Sequence, residues 1–281
     1  MSVTVTMLVL SAAVMHATWN ALVKAGGDKL VMQCLVISVP GFAVFLALPF
    51  VPLPAPASWP LLLLSTIAHG IYYVTLLNSY RLGGLSQVYP IARGAAPLLI
   101  AFGALFAAGE TLTPLEWLGV VIASIGIMCL AAPTGADRRT ELQAIGFALA
   151  TGVTIALYSV ADGLGVRRAG DLMSYILWLL ALEAIPMLAV GFWMRRGRIV
   201  ASFRPHLLKG TLGGIIAGLG YGIVIWAMGN AQMAHVSALR ETSVILAALI
   251  GTLLLGEPFG RRRTLAAALV AGGNALLHIG G

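Results

Sequence analysis

Two arginines, Arg93 and Arg240, stand inside long uncharged runs of this 281-residue chain. A guanidinium in apolar surroundings needs a partner: an internal acid, backbone carbonyls at a helix break, or an anionic ligand. Its planar fork of N–H donors matches a carboxylate or a phosph(on)ate through two parallel hydrogen bonds. Arg93 has no acid in its own run, which points to Glu183 of another element or to a bound anion. Arg93→Lys is then expected to weaken solute binding while keeping the fold. Arg240 has Glu241 beside it, and internal pairing is the competing reading there. Glu183 lies midway along another apolar run. It is a candidate proton-coupling site, or else a paired or protonated structural acid.

Polar aromatic side chains recur at helical spacing. His16, Trp19 and Asn20 fall three and four apart, on one helix face. His69, Tyr72 and Tyr73 repeat that spacing, with Tyr80 seven residues beyond. Tyr89 precedes Arg93 by one turn, and Tyr158 precedes Asp162 by four residues. With Tyr221, Trp226 and Arg240 these residues are candidates for the lining of a solute site. Each has a plainer alternative. His16 and Asn20 can bond helix backbones, Trp19 can anchor at an interface, and the tyrosines can pack between helices. Asp162 is expected near a helix end, in solvent. Glu110 and Glu257 follow glycines at turns and are expected to cap the next helix. Pro90 and Pro97 are expected to bend or break the run that holds Arg93. Gly214, Gly218 and Gly222 have the spacing of a close helix–helix contact.

The elements that carry these residues follow from composition. Hydrophobic residues make up 59% of the chain and charged residues 10%, against about 25% charged in soluble proteins. The chain is too poor in solvated side chains for a water-exposed domain and is expected to take lipid as its solvent. Apolar runs predict ten spans, at 3–23, 30–51, 58–80, 84–108, 115–133, 142–163, 172–194, 207–229, 233–255 and 264–279. The runs are continuous rather than alternating, which excludes a β-barrel. Cys34 and Cys129 sit in apolar runs and form neither a disulfide framework nor a metal set. The net charge of +7 is confined largely to short loops, so nucleic acid is not an expected partner. The first run has no basic segment before it and no evident cleavage site, and is expected to remain as a span. No His-Glu-x-x-His, Gly-x-Ser-x-Gly or P-loop motif occurs, so neither an enzyme, ATP coupling nor a cofactor is expected.

A shift of 147 residues places Arg93 on Arg240, Gly109-Glu110 on Gly256-Glu257 and Gly126 on Gly273. The chain therefore divides into two five-helix halves, 1–135 and 140–281. An odd number of spans in each half gives the halves opposite orientations, as in secondary transporters with a site between inverted repeats.

The run His16-Ala17-Thr18-Trp19-Asn20-Ala21-Leu22-Val23-Lys24 resembles the drug/metabolite transporter superfamily, specifically its EamA-like ten-helix members. So do Pro90-Ile91-Ala92-Arg93, Gly109-Glu110-Thr111-Leu112-Thr113-Pro114 and Gly256-Glu257-Pro258. The resemblance implies a secondary carrier for small organic solutes, with both termini in the cytoplasm. The charge count opposes that orientation. Thirteen of the Lys and Arg residues fall in loops on one side, and the positive-inside rule places that side in the cytoplasm.

The expectation is thus an all-α, ten-helix inner-membrane protein of two inverted repeats, working by alternating access as a monomer or homodimer. Its solute is expected to be a small organic anion or zwitterion, with a proton as the coupling ion. The rival readings are an exporter of amphipathic or cationic compounds and a non-transporting membrane accessory protein.

Overall fold

The computed structural model describes residues 1–83, 85–131, 137–246 and 260–280. Among them the chain is helical throughout, in the order α1 (Val3–Ala25), α2 (Lys29–Ala47), α3 (Trp59–Leu82), α4 (Leu85–Ala108) and α5 (Pro114–Met128). Then come α6 (Arg138–Arg168), α7 (Leu172–Met194), α8 (Leu207–Asn230), α9 (Met233–Arg240) and α10 (Arg261–Gly280). Among the described residues seven stretches are long and apolar enough to cross a membrane, and Pro114–Met128 is a shorter apolar helix. Gly256-Glu257-Pro258 and the second half of the ninth expected span lie outside the described residues.

Local chemistry sets the helix starts. Ser2, Asp28, Asp137 and Asp171 each accept a backbone N–H from the first turn of the helix that follows. Thr113 and Glu116 close a reciprocal capping box on α5. The eighth span ends at Asn230, where Gly229-Asn230 predicted the turn. α6 is longer than expected. Its helix includes Arg138 and Arg139 at one end and Arg167 and Arg168 at the other, where cations favour the helix C-terminus.

Two expectations about breaks and caps are corrected. α4 runs unbroken through Pro90 and Pro97; the freed carbonyls of a buried helix can be satisfied by neighbours. The interruption falls instead in the ninth span, where α9 stops at Arg240 and a turn at Glu241 precedes the helical residues 242–246. Glu110 does not cap the helix that follows it. Its Oε2 accepts the N–H of Met233, at the start of α9, 2.8 Å away.

α3 packs on α6 and α7, and α8 packs on α1 and α2. α4 lies against α5, α6 and α9, while the pairs α2–α7 and α5–α10 complete the bundle. Small residues permit these approaches. A Cβ on Gly214 or Gly218 would meet Pro40 of α2 at about 3 Å, and one on Gly119 would meet the Gly273 carbonyl of α10 at 2.6 Å. The exterior is apolar, with Phe42, Phe45, Phe106, Ile185 and Trp193 exposed, as a lipid-facing surface requires. The polar side chains are inside: Arg93, Arg240, Glu241, Glu183, Asp162 and His69 are all buried.

Interhelical turns gather at two opposite ends. One end carries most of the loop Lys and Arg residues, and there Arg195 pairs with Asp28 while Lys209 donates to the Ala25 carbonyl at 3.3 Å. The other end, with both chain termini, is tied by Ala55 N–H to the Ala169 carbonyl (2.9 Å) and by Ser174 to the Pro52 carbonyl.

Candidate functional site

A cavity of about 100 Å³ lies between α1, α2, α3, α4, α6, α7, α8 and α9. It is lined by His16, Trp19, His69, Tyr72, Tyr73, Arg93, Tyr158, Glu183, Tyr221 and Arg240, drawn from both halves of the chain. A second chamber of about 130 Å³ shares His16, Trp19, Gln33, Tyr72, Tyr73 and Arg93 with it. That chamber adds Asn20, Tyr80 and Tyr89 and extends to Lys29, beside the basic end. Every residue the sequence marked for the site reaches one of these chambers except Trp226, which lines a separate apolar groove.

The two arginines are in different states. Arg93 faces Glu241 as a fork, with Nη2 2.6 Å from Oε1 and Nε donating to Oε2 at 3.1 Å. Its partner is therefore Glu241 of the ninth span, not Glu183, and the acid adjacent to Arg240 in sequence has gone to Arg93. The turn at Glu241 makes this possible, because it turns the acid away from the helical register of α9. Arg240 is also buried, yet its Nε and Nη2 have no hydrogen-bond partner among the described residues. A cavity wall thus holds a guanidinium with donors unused.

The aromatic groups form the opposite wall. The His69 ring stacks on Tyr158 with centroids 3.9 Å apart, and Tyr72 meets Tyr158 edge-on. His69 Nδ1 lies 2.9 Å from the Ser65 carbonyl and 3.3 Å from the Ser65 hydroxyl, and the carbonyl contact favours an N–H on that nitrogen. Tyr73 donates to Glu183 Oε1 at 2.7 Å, and His69 Nε2 is 3.5 Å from the same oxygen. Asn20 spends its amide N–H on the His16 carbonyl one turn back, as the plainer reading of that residue had it. His16 and Trp19 meet edge to face at 5.1 Å.

Sequence reasoning misplaced one acid. Asp162 is not near a solvated helix end: it has no exposed surface and accepts hydrogen bonds from Tyr221 (2.6 Å) and Tyr175 (3.1 Å). The signal was the Tyr158–Asp162 spacing, read against a helix taken to stop at residue 163. Since α6 continues to Arg168, Asp162 stands nearly two turns inside it.

At the end opposite the basic loops the bundle is latched. Arg167 reaches Glu110 Oε1 at 2.6 Å and donates to the carbonyls of Met228 and Ala231 at 2.9 and 2.8 Å. Together with the Glu110–Met233 bond, this joins the fourth, sixth, eighth and ninth elements. Charge-assisted hydrogen bonds of this kind contribute about 1.5–3 kcal/mol each. Arg167→Gln is expected to loosen the latch. Electron-electron distances between spin labels at Thr111 and Asn230 should lengthen and broaden in the variant. An unchanged distribution would make the pair a passive surface contact.

Residues 142–279, from the first turns of α6 to the end of α10, match the EamA-like transporter family. This half of the chain belongs to that family. The EamA-like assignment makes the molecule a multi-pass membrane protein of the drug/metabolite transporter type, surrounded by lipid and handling small molecules. Members of the EamA-like family are transporters rather than enzymes. A solved structure titled "Crystal structure of protein" superimposes with a TM-score of 0.74 at 18% identity, covering 98% of each chain. That likeness extends the shared fold beyond the EamA-like half to nearly the whole molecule. No curated protein matches the chain.

Proposed function

We propose that the chain is a secondary-active transporter that moves a small organic anion or zwitterion across the inner membrane by alternating access. The observation that carries this is Arg240, a buried guanidinium on a central cavity wall with unused N–H donors. Such a group is unfavourable in lipid unless something occupies it, and a carboxylate or phosphonate has the matching geometry. Trp19, Tyr72 and Tyr158 offer π faces, and Glu183 an acid, for a cationic end of the same solute.

The packing order supports two equivalent halves, 1–135 and 140–281. Mapping α1–α5 onto α6–α10 turns the pair α1–α8 into α6–α3 and α2–α8 into α7–α3. It also turns α4–α6 into α9–α1 and α4–α5 into α9–α10, while α2–α7, α4–α9 and α5–α10 map onto themselves. Every one of these pairs is in contact. An exchange of this kind is what rocking of inverted repeats around one site would use. The chamber reaching Lys29 and the latch at Glu110 and Arg167 support reading this conformation as open toward the basic end. We place that end in the cytoplasm on the charge count. A single cysteine at Ser202, in a Cys34→Ser, Cys129→Ser background, should resist an impermeant thiol reagent in intact cells. Rapid labelling would reverse the orientation.

The function itself is tested in proteoliposomes with an imposed pH gradient and a panel of labelled amino acids, carboxylates, phosphonates and organic cations. Saturable uptake of an anionic or zwitterionic solute is expected. Glu183→Gln should abolish uptake driven by the pH gradient and spare solute exchange, which moves no net proton. Uptake restricted to cations would favour the second reading, export of amphipathic cations. One observation speaks for that reading: the apolar groove beside Trp226 adjoins the central cavity, sharing Pro40, Leu180 and Gly218 with it.

A further inference from the structure

The interior of the bundle holds more acid than base. Among the described residues, the buried arginines Arg93 and Arg240 accompany the buried carboxyl groups Glu241, Glu183 and Asp162, while a fourth buried carboxyl, Glu116, has its own partner in His235 at 2.8 Å. Counted over those two arginines and the first three acids alone, full ionisation leaves one negative charge in excess, in surroundings where an unpaired charge is unfavourable. Arg93 is engaged by Glu241, and Arg240 makes no hydrogen bond or ion pair with either remaining acid. One bound proton restores neutrality.

The geometry shows where it can reside. Asp162 Oδ2 is 2.6 Å from the Tyr221 hydroxyl, which is 3.5 Å from His69 Nε2; that nitrogen is 3.5 Å from Glu183 Oε1, which accepts from Tyr73 at 2.7 Å. Two carboxyl groups therefore flank one imidazole whose other nitrogen is favoured as an N–H donor by the Ser65 carbonyl. We propose that Asp162, His69 and Glu183 form one proton-binding unit, with Tyr221 as the link and Asp162 as a proton site in its own right. The transfer balances without any other reactant. The Asp162 O–H bond breaks as its proton goes to the Tyr221 oxygen, and the proton of Tyr221 passes to His69 Nε2. The imidazolium then gives that proton to Glu183 Oε1. One proton has moved between carboxylates, and Tyr221 has reversed its hydroxyl.

Other titratable or charged groups also face Asp162. They are Tyr158 on its own helix and Tyr175 on α7, while Arg93 on α4, Arg240 at the end of α9 and His16 on α1 line the cavity that Tyr221 and His69 also line. None of them joins the two acids as His69 and Tyr221 do. The coupling of this proton to solute movement rests on the transporter reading above: an anion docking at Arg240 restores the negative excess and calls for a further proton on the unit.

The proton site is tested without any solute. Infrared pH-difference spectra of the purified full-length protein in lipid nanodiscs report protonated carboxyl groups, and carbon-13 aspartate labelling assigns them in the unmutated chain. A buried aspartic acid band that disappears as the pH is raised is expected. It should vanish in Asp162→Asn and persist in the surface control Asp137→Asn. His69→Gln and Glu183→Gln should each move its midpoint by about one pH unit or more, the signature of groups that titrate as a unit. In a Tyr221→Phe background, His69→Gln should lose most of that effect. No aspartic band in the unmutated protein, or one indifferent to His69 and Glu183, overturns the proposal. Absence of any transported solute would instead remove the transporter reading and leave this titration standing.

Discussion

Arg93→Met is expected to lower the stability of the protein by about 3–5 kcal/mol, the effect of removing one member of a buried ion pair. Glu241 has no exposed surface, and its described partner is Arg93. Without the guanidinium it becomes an uncompensated carboxylate inside a lipid-surrounded bundle. Glu241→Met should be damaging for the mirror-image reason. The double variant Arg93→Met, Glu241→Met should recover most of the loss, since apolar residues of similar volume replace a pair whose attraction is largely offset by desolvation. Thermal and denaturant unfolding in detergent, arranged as a double-mutant cycle, measures the coupling. Additive losses would mean that the two groups do not act as a pair and that Arg93 is free for a ligand.

Arg240→Met should give the opposite pattern. No hydrogen bond among the described residues is lost with it, a buried group with unused donors is removed, and a further proton on the buried carboxyl groups can take up the lost positive charge. Stability should hold or rise, while uptake of the transported anion falls by about 10- to 150-fold. That range is the loss of about 1.5–3 kcal/mol for a charge-assisted contact, at a factor of ten per 1.4 kcal/mol. Uptake in liposomes and thermal stability are read on the same preparation. A destabilised variant with normal transport would make Arg240 structural and remove the main support for an anionic solute.

Under the proposed repeat the two arginines correspond, and their different states then need a cause. Under the shift of 147 residues the counterpart of Glu241 is Gly94. A Cβ there would meet Met128 at 2.5 Å and the Ser124 carbonyl at 2.9 Å, because α4 packs closely on α5. No side chain fits, let alone a carboxylate. Only one of the two arginines therefore has such an acid to draw on, and the geometry of the ninth span hands it to Arg93.

The sequence by itself determined the solvent, several of the spans and most of the cavity wall. An apolar run long enough to cross lipid predicts its helix whatever lies beside it, and α1, α2, α7 and α8 fall within a few residues of the stretches expected. Spacings of three and four likewise put His69 and Tyr73 on one face before any neighbour is known, and both line the cavity. What only the tertiary structure decided was which charge meets which. Arg93 and Glu241 are 148 residues apart, and adjacency in sequence pointed Glu241 at Arg240 instead. Asp162 became a buried acid only through the extra turns of α6 and the hydroxyls of Tyr175 and Tyr221 from two other helices. Local sequence fixes a side chain's position on its own helix. The partner that neutralises it comes from a neighbour chosen by packing, where glycines such as Gly94 decide how close the helices can come.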